Sequence, residues 1–192
     1  MNKRKRFKLL FTAVLSAAMI CGLAACGGGS SQGGGTSSGG SSSGGTAGTI
    51  VSFETVDLDG NPVSSADIFS ANKVTMINVW GTFCGPCVKE MPEIQKLSEK
   101  YASQGAGVIG LICDLPVGDD TNLADAKDII ETTGVKYLNI RAWEGSDEML
   151  PSVTVPTTYF VDSEGRLIGE KISGAKLKEY GPTLEKLLAE EE

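Results

Sequence analysis

The chain predicts an α/β fold, a central mixed β-sheet flanked by helices, on three observations. Short apolar, β-branched segments alternate with longer segments of helical periodicity. Strand–helix–strand order calls for a sheet covered by helices on both faces, and a closing hairpin near the C-terminus makes that sheet mixed. The stretch 50–192 is long enough for one domain with a real core. No internal repeat is apparent.

The elements follow in chain order. Val51 to Leu58, with the turn Asp59-Gly60, reads as a strand or hairpin. Val74 to Trp80 is apolar, β-branched and short, a buried strand, and Lys89 to Lys100 carries helical periodicity. Gly107 to Cys113 is the next strand. A helix over about Asn122 to Thr133 shows Leu123, Ala126, Ile129 and Ile130 on one face. Leu138 to Ala142 is a further strand. Thr157–Val161 and Arg166–Ile172, joined by Asp162-Ser163-Glu164-Gly165, form the closing hairpin. Lys176 to Glu190 is an amphipathic helix presenting Leu177, Tyr180, Leu184, Leu187 and Leu188. Pro92 lacks an N–H and crowds the carbonyl of Val88, which predicts a kink.

The first residues read as an address. Lys3, Arg4, Lys5, Arg6 and Lys8 precede an apolar run, Leu9 to Leu23, too short for a comfortable span of about 20 residues. Residues 27–49 are almost entirely Gly, Ser and Thr, a flexible linker. Its root-mean-square reach is about 25–30 Å, and its stretched limit about 75–80 Å. Five of the 17 basic residues lie in the leader, so the remainder carries 12 against all 24 acidic residues, a net charge of −12. Nucleic acid is a poor partner for such a chain, and the acidic residues are scattered apart from Glu190-Glu191-Glu192.

Chemistry concentrates at Cys84-Gly85-Pro86-Cys87, a dithiol that can close on itself. It sits at a strand-to-helix junction, with Cys84 near the helix N-terminus. Free N–H groups and the helix dipole there favour a thiolate, the attacking species in disulfide exchange. Two other uses compete with redox chemistry. A zinc site needs further Cys or His, but the chain has no histidine, and Cys113 is the only other thiol of the domain. A structural bridge over two intervening residues closes too small a loop to stabilise much. Cys113, ending an apolar strand, is expected to be a small buried hydrophobe rather than a regulatory thiol.

Three segments resemble the membrane-tethered thiol–disulfide oxidoreductases of the TlpA/ResA type, which have a thioredoxin-like fold. They are Asn78-Val79-Trp80-Gly81-Thr82-Phe83-Cys84-Gly85-Pro86-Cys87, Lys89-Glu90-Met91-Pro92, and Val155-Pro156-Thr157-Thr158-Tyr159-Phe160-Val161-Asp162. The resemblance covers 50–192, including an N-terminal extension at 50–73 and the helical insertion at 122–133. Leu23-Ala24-Ala25-Cys26 likewise resembles a bacterial lipobox. It implies a signal peptide over 1–25, lipidation of Cys26 and a tether over 26–49. The alternative is an uncleaved anchor with Cys21 and Cys26 as ordinary small residues. The implied location is the extracytoplasmic face of the cell membrane.

The resemblance also implies site roles. Pro156 would be cis and lie against the dithiol, leaving the Val155 backbone free to pair with an extended client; the alternative is an ordinary trans turn. Trp80, Gly85, Pro86 and Thr157 would join Val155 in contacting the client, with Trp80 half in the core and half at the lip. Glu90 matches the family's glutamate after the second cysteine. At 100° per residue it shares a stripe with Ile94, Leu97 and Tyr101, so it is expected to be partly desolvated and to exchange a proton with Cys87. Thioredoxins place an aspartate where Asn78 stands, so that role would have moved to Glu90. The alternative is a solvated helix glutamate.

The expected activity is reduction of client disulfides, with Cys84 attacking, Cys87 resolving and no cofactor or metal required. In the family a membrane donor of CcdA/DsbD type restores the dithiol, and clients include apocytochromes c and exported methionine sulfoxide reductases. An oxidase or isomerase is the nearest rival. A peroxiredoxin-like peroxidase would need Thr or Ser where Gly81 stands, three residues before Cys84. A Sco-type copper chaperone uses a wider cysteine spacing plus histidine. A lipoprotein binding module would have no need of the dithiol.

Overall fold

The computed structural model describes residues 48–191. The leader, Cys26 and the linker up to residue 47 lie outside them. Twelve elements follow: β1 (Glu54–Val56), β2 (Pro62–Ser64), α1 (Ser65–Ser70), β3 (Val74–Trp80), α2 (Gly85–Ala102), β4 (Ala106–Pro116), α3 (Leu123–Thr133), β5 (Leu138–Ala142), α4 (Ser146–Met149), β6 (Thr157–Asp162), β7 (Ile172–Ser173) and α5 (Leu177–Glu190). Among the described residues no helix is long and apolar enough to cross a membrane.

Five strands form one sheet in the order β5-β4-β3-β6-β7. β3 pairs parallel to β4 and antiparallel to β6, while β4 and β5 run parallel. β3 is therefore central, and all seven of its residues are buried, which is why it reads as a mostly apolar run broken by Thr75 and Asn78. Its side chains alternate between two cores. Met76 and Trp80 pack with Met91 and Ile94 of α2 and with Tyr180 and Leu184 of α5. Ile77 and Val79 pack with Phe53, Phe69 of α1, Tyr159 and Leu150. The two parallel crossovers, through α2 and α3, both lie on the first face, as right-handed connections stepping in one direction require.

Of the strand or hairpin expected at the N-terminus, the hairpin forms, from β1 and β2, and Asp57 makes an isolated bridge to Ile140 of β5. Other expectations change in detail. The return limb of the closing hairpin is broken: Arg166 and Leu167 form isolated bridges, and only Ile172–Ser173 is a strand. Gly169 between them has φ +64°, a left-handed conformation that no extended run continues through. α1 and α4, too short to show a periodicity, complete the second face. α2 runs on through Pro92 as one helix of 18 residues and begins at Gly85, taking in Cys87.

Strand register positions the site. Val79 pairs with Thr157 and Trp80 with Ile112. The chain leaving β3 toward Cys84, the chain entering β6 at Pro156, and the end of β4 after Ile112 thus meet at one end of the sheet.

Candidate active site

Cys84 caps α2 with extended backbone, φ −94° and ψ 90°, and its Sγ accepts the Cys87 N–H at 3.2 Å. The sulfur therefore occupies the place of a capping oxygen and satisfies one of the free donors of the first turn. Pro86 fits there because its missing N–H would have no helical partner. Cys84 and Cys87 form a disulfide. Cys84 keeps 5% of its surface exposed and Cys87 none, so an attacking group reaches Cys84 first. When reduced, the same placement at the helix N-terminus favours a thiolate on Cys84.

The loop before the dithiol is anchored to β4. Thr82 donates its N–H to both Asp114 carboxylate oxygens at 3.1 Å and its hydroxyl to Oδ2 at 2.5 Å. Asn122, at the start of α3, donates to the Asp114 carbonyl at 2.7 Å. On the opposite side the Val155–Pro156 peptide is cis, as the resemblance implied, and the Val155 carbonyl oxygen lies 3.6 Å from Cys84 Sγ.

Gly85 and Pro86 are exposed and Val155 is half-buried, so all three can meet a client. Trp80 and Thr157 cannot. Trp80 is completely buried and donates its indole N–H to Asn139 Oδ1 at 3.0 Å, across Gly110, where a side chain would have no room. Thr157 is also buried, and its hydroxyl donates to the Thr154 carbonyl at 2.6 Å, bracing the turn before β6. Both are core supports of the site, because strand alternation turns them inward. The exposed aromatic is Phe83, next to Cys84, with 72% of its surface open. Its signal in the sequence was a large apolar residue in a loop directly before the first cysteine.

Glu90 is not solvated: only 1% of it is exposed. Asn78 Nδ2 donates to Oε1 at 3.2 Å, and the Tyr180 hydroxyl donates to Oε2 at 3.0 Å. Burial pushes the carboxyl up to about 7, and these two hydrogen bonds oppose the rise only in part. Glu90 lies one helical turn beyond Cys87. A carboxyl balanced there near neutrality can take or give a proton in the working pH range. Tyr180 escaped the sequence reading as a site residue, although a hydroxyl on a leucine-lined helix face must find a partner.

Cys113 is a correction. It is exposed rather than buried, because the β4–β5 pairing shifts register between Ile112 and Pro116 and leaves this part of β4 outside the ladder. Partial desolvation and then the adjacent Asp114 carboxylate push its thiol up to about 11, which disfavours the thiolate at neutral pH. Arg141 has no link to the dithiol. Its buried guanidinium donates to the carbonyls of Pro116 and Asp119 at 2.8 Å, fastening the loop after β4. Among the described residues no cluster of three or more His, Cys, Asp or Glu could hold a metal ion.

Known proteins resemble this chain in sequence and in fold. The Redoxin family matches residues 43–181. The thiol–disulfide oxidoreductase ResA of Bacillus anthracis is 30% identical over 131 residues, covering 67% of this chain and 69% of that protein. ResA of Geobacillus kaustophilus is 28% identical over 134 residues, covering 68% and 71%. A thioredoxin-family thiol:disulfide interchange protein from Chlorobium tepidum superposes with a TM-score of 0.61 at 23% identity, over 74% of this chain and 97% of that one. The thioredoxin domain of a thiol-disulfide oxidoreductase from Bacteroides vulgatus gives 0.61 at 23% identity, over 77% and 99%. With a thioredoxin-like fold, a dithiol capping α2 and relatives of this kind, the chain belongs to the Redoxin family as a thiol–disulfide oxidoreductase of the ResA/TlpA type.

Proposed function

We propose that this oxidoreductase works as a reductant of exported client proteins, held by a lipid on Cys26 at the extracytoplasmic face of the cell membrane. The Cys84 thiolate attacks one sulfur of a client disulfide, forming a mixed disulfide and releasing a client thiolate. Cys87 passes its proton to Glu90 and attacks Cys84 Sγ, which closes the Cys84–Cys87 disulfide and expels the second client thiolate. The client gains two electrons and the enzyme loses two. The proton on Glu90 then returns to the departing thiolate. A membrane donor of CcdA/DsbD type resets the dithiol, and apocytochromes c or exported methionine sulfoxide reductases are the client classes.

The observation that carries this reading is the asymmetry of the pair: Cys84 caps the helix and keeps a small exposed edge, while Cys87 is fully enclosed one turn before a buried carboxyl. Exposed Phe83, Gly85 and Pro86 with the nearby Val155 backbone offer an apolar, extended seat for a client segment. The test is trapping. Cys87→Ser is expected to accumulate client mixed disulfides through Cys84, and Cys84→Ser to trap few. Faster alkylation of Cys87 than Cys84 in the reduced protein at neutral pH would reverse the roles.

A further inference from the structure

The Glu90 carboxyl is held from two sides of the fold, by β3 and α5. Asn78, on β3, donates one amide hydrogen to Glu90 Oε1 at 3.2 Å and the other to Thr158 Oγ1 of β6 at 3.1 Å. Tyr180, completely buried on α5, reaches Oε2 at 3.0 Å and Oε1 at 3.3 Å. We propose that Asn78, Thr158 and Tyr180 form a positioning cradle that sets how tightly Glu90 keeps its proton during disulfide exchange. The inference deepens the proposed reduction chemistry and rests on the proton role given there to Glu90.

Each member has a reason to be what it is. The donors from Asn78 and Tyr180 stabilise the carboxylate, while burial favours the neutral acid. No lysine or arginine among the described residues contributes to the balance at Glu90. The titratable groups around it are Cys87 on its own helix, Tyr180 from α5, and Tyr137 from the segment before β5. Tyr137 is close enough for the charge of Glu90 to raise its own proton affinity. A cationic partner would pin the carboxylate ionised; two neutral donors leave it able to change state.

Asn78 Oδ1 is buried without a partner. An amide has donors on one side and an acceptor on the other. When Glu90 is protonated, half a turn of the amide brings Oδ1 to accept the carboxyl O–H. The Thr158 hydroxyl, which now accepts from Asn78, then donates to it instead. The exchange reverses the polarity of the two hydrogen bonds to the amide and moves its unpartnered side from Oδ1 to Nδ2. An aspartate at 78 could not do this, since a second carboxylate would compete for the same proton.

The test reads the carboxyl directly. Carbon-13 NMR of the Glu90 side chain in the oxidised full-chain protein gives its titration midpoint free of thiol ionisation. Tyr180→Phe keeps the ring and removes the hydroxyl, and is expected to weaken the Glu90 acid about tenfold. Asn78→Leu should shift it in the same direction, and the pH midpoint of mixed-disulfide resolution should move with it in each variant. Should one variant fail to fold, the other carries the test. An unmoved or lowered midpoint overturns the cradle. A failure of the underlying reading looks different: Glu90→Gln would leave resolution unchanged while Tyr180→Phe still moved the carboxyl.

Discussion

At the scale of single residues, burial decides more than residue type. Glu90 sits on an apolar stripe in the sequence, and its burial raises its proton affinity to about 7 from an ordinary 4.5, against the pull of the Asn78 and Tyr180 hydrogen bonds. The sign of the consequence for stability is fixed. Below about pH 4.5 both folded and unfolded chains hold this proton; as pH rises toward 7 the unfolded chain loses it first and is favoured. Glu90 therefore makes the fold less stable with rising pH across that window, by roughly 3 kcal/mol in total. Urea unfolding of wild type and Glu90→Gln between pH 4.5 and 7.5 should show a falling curve for the first and a flatter one for the second. The same substitution should slow resolution about tenfold or more, the scale of a lost acid–base group. Unchanged turnover across pH 6–8 would remove Glu90 from the chemistry.

At the scale of elements, the working end of the molecule is a junction of β3, β4, β6 and α2, and its stiffness comes from side-chain ties between them. Asp114 accepts both Thr82 donors and so fixes the approach to Cys84 from the end of β4. Asp114→Ala leaves a backbone N–H and a hydroxyl partly buried without that acceptor, a loss of about 1–3 kcal/mol. Thermal unfolding should report a melting point lower by several degrees, with faster alkylation of the reduced dithiol as the loop loosens. Gly110 is the corresponding point beneath Trp80. Gly110→Ala places a methyl where the Trp80–Asn139 hydrogen bond sits, and should destabilise by about 1–3 kcal/mol through overpacking. A melting curve unchanged by that substitution would mean the indole can move aside.

At the scale of the whole molecule, direction and place are the issues. The Gly-Pro pair between the cysteines is that of thioredoxin, with a potential of about −270 mV, against about −120 mV for the strong oxidant DsbA. That gap is about 7 kcal/mol for two electrons. DsbA reaches it by depressing its cysteine pKa to about 3.5, whereas here no histidine lies between the cysteines and a carboxyl sits behind them. Equilibration against a glutathione series should therefore give a reducing potential. A value above about −180 mV, that of protein disulfide isomerase, would reassign the protein as an oxidase or isomerase. A reductant in an oxidising compartment needs electrons carried through the membrane, which is the use proposed for the tether. Cys26→Ala should accordingly shed the protein from membranes, and an intact mass beginning at an unmodified Met1 would refute the anchor.

What the sequence determined by itself is local. The apolar run of β3, the dithiol at a helix start and the stripe of Glu90, Ile94, Leu97 and Tyr101 all follow from neighbours within a turn or two, where periodicity speaks directly. The cis-proline was legible only through the three-segment resemblance. Tertiary structure decided everything that depends on register between distant segments. Trp80 and Thr157 turn inward because strand alternation in a central sheet leaves them no other side. Cys113 comes to the surface because β4 slips its pairing with β5 just where the cysteine falls. Tyr180 meets Glu90 across 90 residues, and Thr82 meets Asp114 across 32, through packing that no spacing along the chain announces. A buried polar group must find a partner, but which one it finds is set by how the sheet and helices close around it.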